Sequence, residues 1–406
     1  MVNKNPKIGI KPGATAAKGY RAAGVACGVR HEGRRDLGLL FSESAEGTAA
    51  VAITANTVKA PPLLVTKEAV EAGGVRAVVV NSAIANAATG KRGLEDAYRM
   101  QAVAAAELGL GTDEVAVAST GTMGEYLPMD RVEAGIKDAA AGLSGDGSAF
   151  AEAILTTDTH TKEAAAQVQV GEETVTVGAV AKGSGMIHPN MATMLAFVAT
   201  DASMEKESLQ SALRKATERT FNRVTVDGDT SPNDMVLIMA NGTAGNKTLT
   251  QGSPDYQVFE EAIEGVMRKL AREIARDGEG ATKLIEVVVE GARDETTAAA
   301  LAKAIVGSNL FKAAVYGGDA NWGRALNAMG YSGASFDPEG LELYFGSVKV
   351  FEDGEPVAVG VEEANATLAG DEVTVTAQLK EGEASATTWG CDLTYEYVRI
   401  NGSYRT

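Results

Sequence analysis

The chain has 406 residues, of which 45% are hydrophobic and 22% are charged, and its formal net charge is −17. This balance is typical of a folded enzyme or a large binding protein, and it excludes a disordered or fibrous chain. The acidic excess argues against nucleic-acid binding, because a polyanion would be repelled. Arg34-Arg35 is the nearest approach to a basic run.

The cysteines and the hydropathy of the chain indicate its compartment. Cys27 and Cys391 form neither a CxxC pair nor a disulfide framework, which is typical of a reducing compartment and gives no reason to expect a structural metal. The first residues contain no apolar signal core, and no apolar run reaches about 18 residues. We therefore expect a cytoplasmic protein with no membrane partner and no metal.

Strand and helix periods of the apolar pattern alternate along the whole chain, which predicts a mixed α/β fold. No repeat, low-complexity tract or long linker marks a domain boundary. In chain order the predicted elements are strand 77–80, helix 94–108, strands 115–118 and 174–180, helix 209–216, helix 259–274 between Pro254-Asp255 and Gly278, strand 285–289, helix 296–305, and strands 341–350 and 373–379.

The most informative segment is KGSGMIHPNMATMLAF, residues 182–197, which follows a predicted strand. Gly183 and Gly185 permit backbone conformations that other residues avoid, and Pro189 fixes its own φ angle, so the segment is predicted to be a constrained loop. Taken alone, Thr193 in this segment is typical of an ordinary threonine at the start of a strand.

The same segment resembles the self-processing motif of the ornithine acetyltransferase (glutamate N-acetyltransferase) family of arginine biosynthesis. The resemblance extends over essentially the whole chain, in order and with compatible spacing. Its further motifs are GYRAAGVACGV (19–29), ASTGTMGEYLPM (118–129), ILTTDT (154–159), TVDGDTSPND (225–234), ARDGEGATK (275–283), GGDANWGR (317–324) and CDLTYEYVRINGSYRT (391–406).

The resemblance implies that the chain cleaves itself between Ala192 and Thr193 and that the freed Thr193 is the nucleophile. The new α-amino group has an ordinary pKa of about 7.7 to 8.0, so it suits the role of base for the hydroxyl of the same residue. This base also fits the scarcity of histidine, since the chain has only His31, His160 and His188. We expect His188 to orient the loop rather than to act as the base.

The resemblance also implies the fold and the assembly. The fold is a layered α-β-β-α sandwich, made of an α chain of residues 1–192 and a β chain of residues 193–406 that form one catalytic unit. Two such pairs associate as an α2β2 heterotetramer in the family.

By resemblance, the chain transfers acetyl from N2-acetyl-L-ornithine to L-glutamate through an acetyl-Thr193 intermediate, giving L-ornithine and N-acetyl-L-glutamate. No cofactor is expected, and acetyl-CoA as a second acetyl donor is left open. An aminopeptidase or amidohydrolase of the related self-processing fold is one alternative, although those enzymes favour a serine nucleophile. A non-catalytic amino-acid-binding relative is the other.

The family's functional positions match specific residues of this chain. Taken alone, Thr120-Gly121 is typical of a turn, Lys182 of a solvated strand end, and Glu279 of a loop carboxylate. By resemblance, Thr120 and Gly121 form the oxyanion hole, and the substrate-binding residues are Thr156, Lys182, Thr193, Glu279, Asn401 and Thr406.

Three other features have no catalytic role in this interpretation. Asp227, Asp229 and Asp234 resemble a metal-binding cluster, but the segment is better interpreted as turn and capping chemistry. Trp322 and Arg324 are expected to serve structure or subunit contact. Residues 81–90 depart from the family's Asn-Ser-Gly-Asn-Ala-Asn-Ala pattern, because Ala83-Ile84 replaces Gly-Asn.

Overall fold

The computed structural model describes residues 7–8, 13–30, 33–188 and 194–403. Its strands are β1 Lys7–Ile8, β2 Tyr20–Val25, β3 Leu37–Ser42, β4 Thr48–Ile53, β5 Ala77–Asn81, β6 Val115–Ser119, β7 Lys162–Val170, β8 Glu173–Lys182, β9 Leu195–Thr200, β10 Val224–Thr225, β11 Met235–Ala240, β12 Leu284–Ala292, β13 Glu342–Phe345, β14 Val348–Glu352, β15 Glu355–Pro356, β16 Glu372–Gln378 and β17 Ala384–Cys391. Its helices are α1 Pro61–Ala72, α2 Gly90–Leu108, α3 Met129–Ala141, α4 Ser148–Ala153, α5 Lys206–Arg219, α6 Tyr256–Arg276, α7 Glu295–Gly307, α8 Asn309–Gly317, α9 Trp322–Gly330, α10 Val361–Ala366 and α11 Tyr395–Ser403.

The strands form three sheets. The first sheet has the order β1-β7-β8-β9-β11-β4, the second has the order β2-β3-β5-β6, and the third has the order β10-β17-β12-β16-β13-β14-β15. In the first sheet β8 runs antiparallel to β9, and β9 runs parallel to β11. The end of β8 and the starts of β9 and β11 therefore lie at one edge of the sheet.

The first two sheets and four helices form layers in the order α-β-β-α. Successive side chains of a strand point to opposite faces of its sheet. In β9, Phe197 packs between the two sheets, whereas Val198 packs on the other face with residues of α5 and α6. The outer face of the second sheet packs against α2 and α3 through residues such as Val117 and Ile136. The prediction of a mixed α/β fold is confirmed.

The third sheet has a core of its own, which the sequence did not separate from the rest. Residues of β12, β13, β14, β16 and β17 bury apolar side chains against α7, α8 and α9. Trp389 and Cys391 at the end of β17 instead join the core beneath α6, so this helix connects the third sheet to the first. Among the described helices, no single one is long and apolar enough to cross a membrane, and one bent pair, α7 with α8, meets that test by length and composition only.

All four predicted helices are confirmed, as are five of the predicted strands, with ends that differ by a few residues. The prediction of one strand over 341–350 is wrong, because this segment is the hairpin of β13 and β14. Gly346 in the turn has a φ of 56°, a left-handed conformation that glycine adopts without steric cost. Strands β9 and β11 escaped prediction because both are buried along their whole length and lack the alternation of a half-exposed strand.

The departure at Ala83-Ile84 has a clear structural consequence. Ala83 has a φ of 82°, in the left-handed region that glycine occupies most easily. The side chain of Ile84 is buried in the core beneath α2 and α3. The segment is held to the next loop, since Thr122 N–H donates to the Ala83 carbonyl and Ala85 N–H donates to the Thr122 carbonyl, both at 2.9 Å. The alanine is therefore strained, whereas the isoleucine is well accommodated.

Replacing Ala83 by glycine should stabilise the protein. Glycine removes the steric strain of the left-handed alanine, which is worth roughly 1–2 kcal/mol. It also increases the conformational entropy of the unfolded chain, which costs about 0.4–1 kcal/mol, so we expect the free energy of unfolding to rise by about 0.5–1 kcal/mol. Ala85→Gly is the matched control in the same loop. Ala85 is buried and has no left-handed φ, so this change should destabilise. Denaturant unfolding measures both, and equal losses for the two variants would contradict the strain at Ala83.

Candidate active site

A pocket lies where strands of the first two sheets end. Strand β6 of the second sheet leads into Thr120, β8 of the first sheet ends at Lys182, and β9 and β11 begin beside them. The cavity has a volume of about 170 Å³, which suits a ligand of amino-acid size. Four adjoining loops thus deliver polar side chains to one place.

The pocket brings together most of the residues that the sequence predicted. Met194, where the described chain resumes, also lines it. The predicted cleavage site, Ala192 and Thr193, and the predicted binding residue Thr406 lie outside the described residues. The predicted residues that line the pocket are Thr120, Gly121, Thr156, Lys182, Glu279 and Asn401.

Gly121 is required by the close approach of two loops. A Cβ atom at this position would lie 2.1 Å from the backbone carbon of Ala83, and its φ is 131°. Thr120 N–H donates to the Asn81 carbonyl at 3.0 Å. The backbone at 120–121 is therefore fixed against the second loop, while both residues face the pocket.

Lys182 is buried at the end of β8, not solvated as its position in the sequence alone suggested. Its Nζ donates to Thr120 Oγ1 at 3.4 Å. Burial lowers the pKa of Lys182, although the charge of Asp158 opposes this shift. The side-chain nitrogen of Lys182 therefore lies at the pocket with little solvent around it.

Glu279 and Asn401 meet on the opposite side of the pocket. Asn401 Nδ2 donates to Glu279 Oε2 at 2.8 Å, which connects helix α11 to the loop before β12. Glu279 is buried against Gly185, where a Cβ would come within 2.4 Å of its carboxyl group. The glycine of the predicted cleavage loop is thus what leaves space for this carboxylate.

A buried ion cluster joins the segments that carry these residues. Lys162 is fully buried, and its Nζ donates to Asp158 Oδ1 at 2.7 Å and to Asp277 Oδ2 at 2.6 Å. Asp158 also accepts Gly183 N–H at 2.7 Å and Thr156 N–H at 3.1 Å. None of these three ionic residues was predicted from the sequence, although Asp158 lies in the motif ILTTDT and Asp277 in ARDGEGATK.

Charge within this cluster controls the ionisation of Asp158. Burial alone would raise its pKa, but the ammonium groups of Lys162 and Lys182 outweigh burial and hold the pKa below its ordinary value. The stability that this carboxylate contributes is therefore present above the ordinary Asp pKa of about 3.9, and it is lost as the pH falls below that value.

Asp227 caps the backbone of the predicted cleavage loop. Its carboxylate accepts the N–H groups of Met186 at 2.7 Å and Ile187 at 2.8 Å. Met186 has a φ of 55°, so a residue with a side chain is held in the left-handed region. For Asp227 the prediction of turn and capping chemistry is confirmed.

Asp234 differs from that prediction, because it lies buried in the wall of the pocket. Its Oδ2 atom has no hydrogen-bond partner within the described part of the chain. Burial raises the pKa of Asp234 well above its ordinary value, although the charge of Lys182 opposes the shift. Nothing in the sequence around Asn233-Asp234 indicated that this carboxyl group would be buried.

The two described histidines have other surroundings. His188 Nδ1 lies 3.0 Å from Thr225 Oγ1, and burial together with the charge of Lys303 lowers its pKa to about 4. His160 lies on the surface beside Glu273. Neither is among the residues that line the pocket, while His31 lies outside the described residues.

Trp322 and Arg324 support the third sheet rather than the pocket. The Trp322 ring packs 5.3 Å from that of Phe351, and Arg324 Nη1 donates to the Leu310 carbonyl at 2.7 Å. These contacts agree with the structural role among the two that the sequence suggested for them.

The layered α-β-β-α core, with an amino-acid-sized pocket of hydroxyl, amine and carboxylate groups where its sheets meet, defines an α/β protein built for small-molecule chemistry. A model of the ArgJ family matches residues 21–406. The chain therefore belongs to the ArgJ family, which confirms the resemblance found in the sequence and the prediction that the chain is an enzyme.

Individual relatives agree with this assignment. The arginine biosynthesis bifunctional protein ArgJ of Symbiobacterium thermophilum is 54% identical, with 97% of this chain and 98% of the relative covered. The protein of the same name from Bacillus subtilis is 51% identical over the whole of both chains. A crystal structure of ArgJ from Bacillus halodurans, with 50% identity and a TM-score of 0.50, covers 51% of this chain and 98% of its own.

Replacing Lys162 by methionine should destabilise the protein severely. The change leaves two buried carboxylates without their cation, so we expect a loss of about 3–5 kcal/mol in the free energy of unfolding. Lys215→Met is the matched control, because Lys215 forms an exposed ion pair with Glu260 at 2.9 Å and should cost less than about 1 kcal/mol. Denaturant unfolding compares the two variants. Similar losses in the free energy of unfolding would show that the buried ion cluster contributes no more to stability than an exposed ion pair.

Proposed function

We propose that this enzyme transfers acetyl from N2-acetyl-L-ornithine to L-glutamate through an acetyl ester on Thr193, after cleavage between Ala192 and Thr193. The observation that carries the proposal is the pocket itself. Six residues that the family resemblance assigned to catalysis or binding line one small cavity, together with Met194, which follows Thr193 in the sequence.

The surroundings of the pocket favour an N-terminal threonine as nucleophile. A threonine hydroxyl needs a neighbouring base, and neither His160 nor His188 lines the cavity. The α-amino group that cleavage releases on Thr193 supplies that base. The left-handed Met186, held by Asp227, supports a strained loop ahead of the cleavage site.

Thr120 and Gly121 are the proposed oxyanion hole. The Thr120 N–H is already bonded to Asn81, so the Thr120 hydroxyl and the Gly121 N–H are the donors assigned to the developing oxyanion. The backbone is held by the close contact of Gly121 with Ala83, so the donors need no rearrangement during the reaction.

The charges of the pocket suit an acetylated diamino acid. Lys182 is the group to pair with the substrate carboxylate, and Glu279 is the group to receive the cationic side-chain amine of ornithine. Asn401 orients Glu279 through its 2.8 Å hydrogen bond. Thr156 and Thr406 complete the proposed binding set by resemblance.

The reaction is a two-step exchange. The Thr193 hydroxyl attacks the acetyl carbonyl, its proton passes through the α-amino group to the departing nitrogen, and the amide C–N bond breaks to release ornithine. The amine of glutamate then attacks the ester, and the C–O bond breaks to restore the hydroxyl. No cofactor takes part.

Two chains that fold as one unit, residues 1–192 and 193–406, are part of the proposal. Both segments contribute strands to the first sheet, where β9 and β11 of the second segment lie between β8 and β4 of the first. The Bacillus halodurans relative is matched over nearly all of its own chain but over only 51% of this one, which agrees with a relative present as shorter chains. Association into an α2β2 heterotetramer follows the same resemblance.

The relatives are called bifunctional, which supports a second reaction of the same nucleophile. We propose acetyl-CoA as a second acetyl donor to Thr193, with glutamate again as acceptor. Net synthesis of N-acetylglutamate then adds to the exchange reaction.

Cleavage is the first measurement, because every later step depends on it. Intact mass and N-terminal sequencing of the wild type should give two chains, one of which begins Thr193-Met194-Leu195, whereas Thr193→Ala should stay intact and lack exchange activity. A single uncut wild-type chain would contradict the mechanism and favour a binding protein. Acetate release without glutamate would instead favour a hydrolase.

Glu279→Gln tests the binding of the substrate amine. Loss of a charge-assisted contact of roughly 1.5–3 kcal/mol should raise KM for N-acetylornithine about tenfold to a hundredfold. Glu290→Gln is the matched control, because Glu290 is exposed on β12 and does not line the pocket. Steady-state kinetics decide, and an unchanged KM in Glu279→Gln would remove Glu279 from the binding site.

A further inference from the structure

The wall of the catalytic pocket combines charged and apolar side chains. Its charged residues include Lys182, Asp227 and Glu279. An acyl chain carries no hydrogen-bonding group beyond its carbonyl, so it is best placed against apolar side chains, where no polar group loses its water. The apolar residues that line the pocket are Met123, Met186, Ile187, Met194, Leu195 and Pro232.

Met123 differs from most of these residues in its packing. Ile187 and Met194 belong to the core beneath α6, and Leu195 belongs to the core between the first two sheets. Met123 is half-buried and packs against a small separate cluster of three buried alanines. These are Ala60, Ala85 and Ala87. The Met123 side chain therefore lies between a floor of small residues and the pocket.

The backbone on both sides of Met123 is fixed. Thr122 N–H donates to the Ala83 carbonyl and Gly124 N–H donates to the Ala87 carbonyl, both at 2.9 Å. The two neighbours of Met123 are thus bonded to one loop, residues 83–87. Its side chain starts from a fixed point in the wall, so it can yield to a larger ligand only by leaving its contacts with the alanines.

Met123 is also close in the chain to the proposed oxyanion hole, since it follows Gly121 by two residues. A carbonyl oxygen held by the Thr120 hydroxyl and the Gly121 N–H places the carbonyl carbon beside this loop. The acyl chain is bonded to that carbon. Its first atoms therefore lie in the part of the pocket that contains Met123.

Met186 marks a different part of the pocket. Its N–H donates to Asp227 at 2.7 Å, and a Cβ on the preceding Gly185 would lie 2.4 Å from the Glu279 carboxyl group. Glu279 is the group proposed to receive the side-chain amine of the substrate. Met186 is therefore near the amine end of the substrate, whereas Met123 is near the acyl end.

We propose that the Met123 side chain closes the acyl end of the pocket and makes the enzyme prefer acetyl over longer straight-chain acyl groups. This inference rests on the proposed function, which assigns the carbonyl group to Thr120 and Gly121. The pocket is small, at about 170 Å³, so a longer chain must displace the methionine or move its own carbonyl away from the oxyanion hole. Replacing Met123 by alanine opens space down to the alanine cluster.

Calorimetric titration with N2-acetyl-L-ornithine and N2-butyryl-L-ornithine, without glutamate, tests the proposal. For the wild type we expect a Kd that is roughly tenfold to a hundredfold higher for the butyryl donor, the size of discrimination that a tight apolar pocket achieves for added methylenes. In Met123→Ala the two Kd values should differ by less than about threefold, because the added methylenes now find apolar space. The ratio of kcat/KM for the two donors, measured as ornithine release with glutamate present, should change in the same direction.

Two further variants serve as controls. Met123→Leu nearly conserves the side-chain volume, so it should keep the preference for acetyl. Met186→Ala makes the same truncation near the amine end of the pocket and should leave the ratio of the two Kd values unchanged.

Three results would overturn the proposal. The wild type could bind both donors equally, Met123→Ala could weaken both equally, as a purely structural residue would, or Met186→Ala could be the variant that admits the butyryl donor. Failure of the Thr193 mechanism has a different signature, because it would abolish ornithine release by the wild type. The ratio of Kd values requires no turnover, so it still tests Met123 in that case.

Discussion

The site depends on one buried cation. Lys162 has no exposed surface, and Asp158 and Asp277 both contact its ammonium group. The same two carboxylates bind backbone or side-chain groups of the segments around Thr156, Gly183 and Thr159. The ion cluster of Lys162, Asp158 and Asp277 thus connects three segments of the site. Any rearrangement of these segments would leave a buried charge without its partner. Precision in the pocket follows from this electrostatic constraint more than from hydrophobic packing.

Burial acts differently on the titratable groups of the pocket, because their partners differ. Lys182 and Asp234 both line the cavity, and burial shifts the pKa of each toward its neutral form. Asp158 is equally enclosed but has two cations nearby, so its pKa moves in the opposite direction.

Chain order and the two-sheet architecture explain why the predicted processing segment lies beside the site. Strand β8 ends and β9 begins at the same edge of the first sheet, and β6 of the second sheet ends nearby. The loop after β6, at Thr120 and Gly121, is held by its contact with Ala83 and by the hydrogen bonds of Asn233 to the Ala85 and Ser119 carbonyls. The layered fold therefore brings Thr120 and Gly121 close to the end of β8 and the start of β9.

The sequence by itself determined the helices with a clear apolar period and, through the resemblance of its motifs, the family and the residues expected at the site, because motifs and periodicity are local properties of the chain. It did not reveal the fully buried strands β9 and β11, which lack alternation, or the hairpin at Gly346. Only the tertiary structure decided that Lys162 is buried between Asp158 and Asp277, and that Asp234 is buried in the wall of the pocket, where burial raises its pKa. The physical reason is that burial and electrostatic environment arise from contacts between residues far apart in the chain.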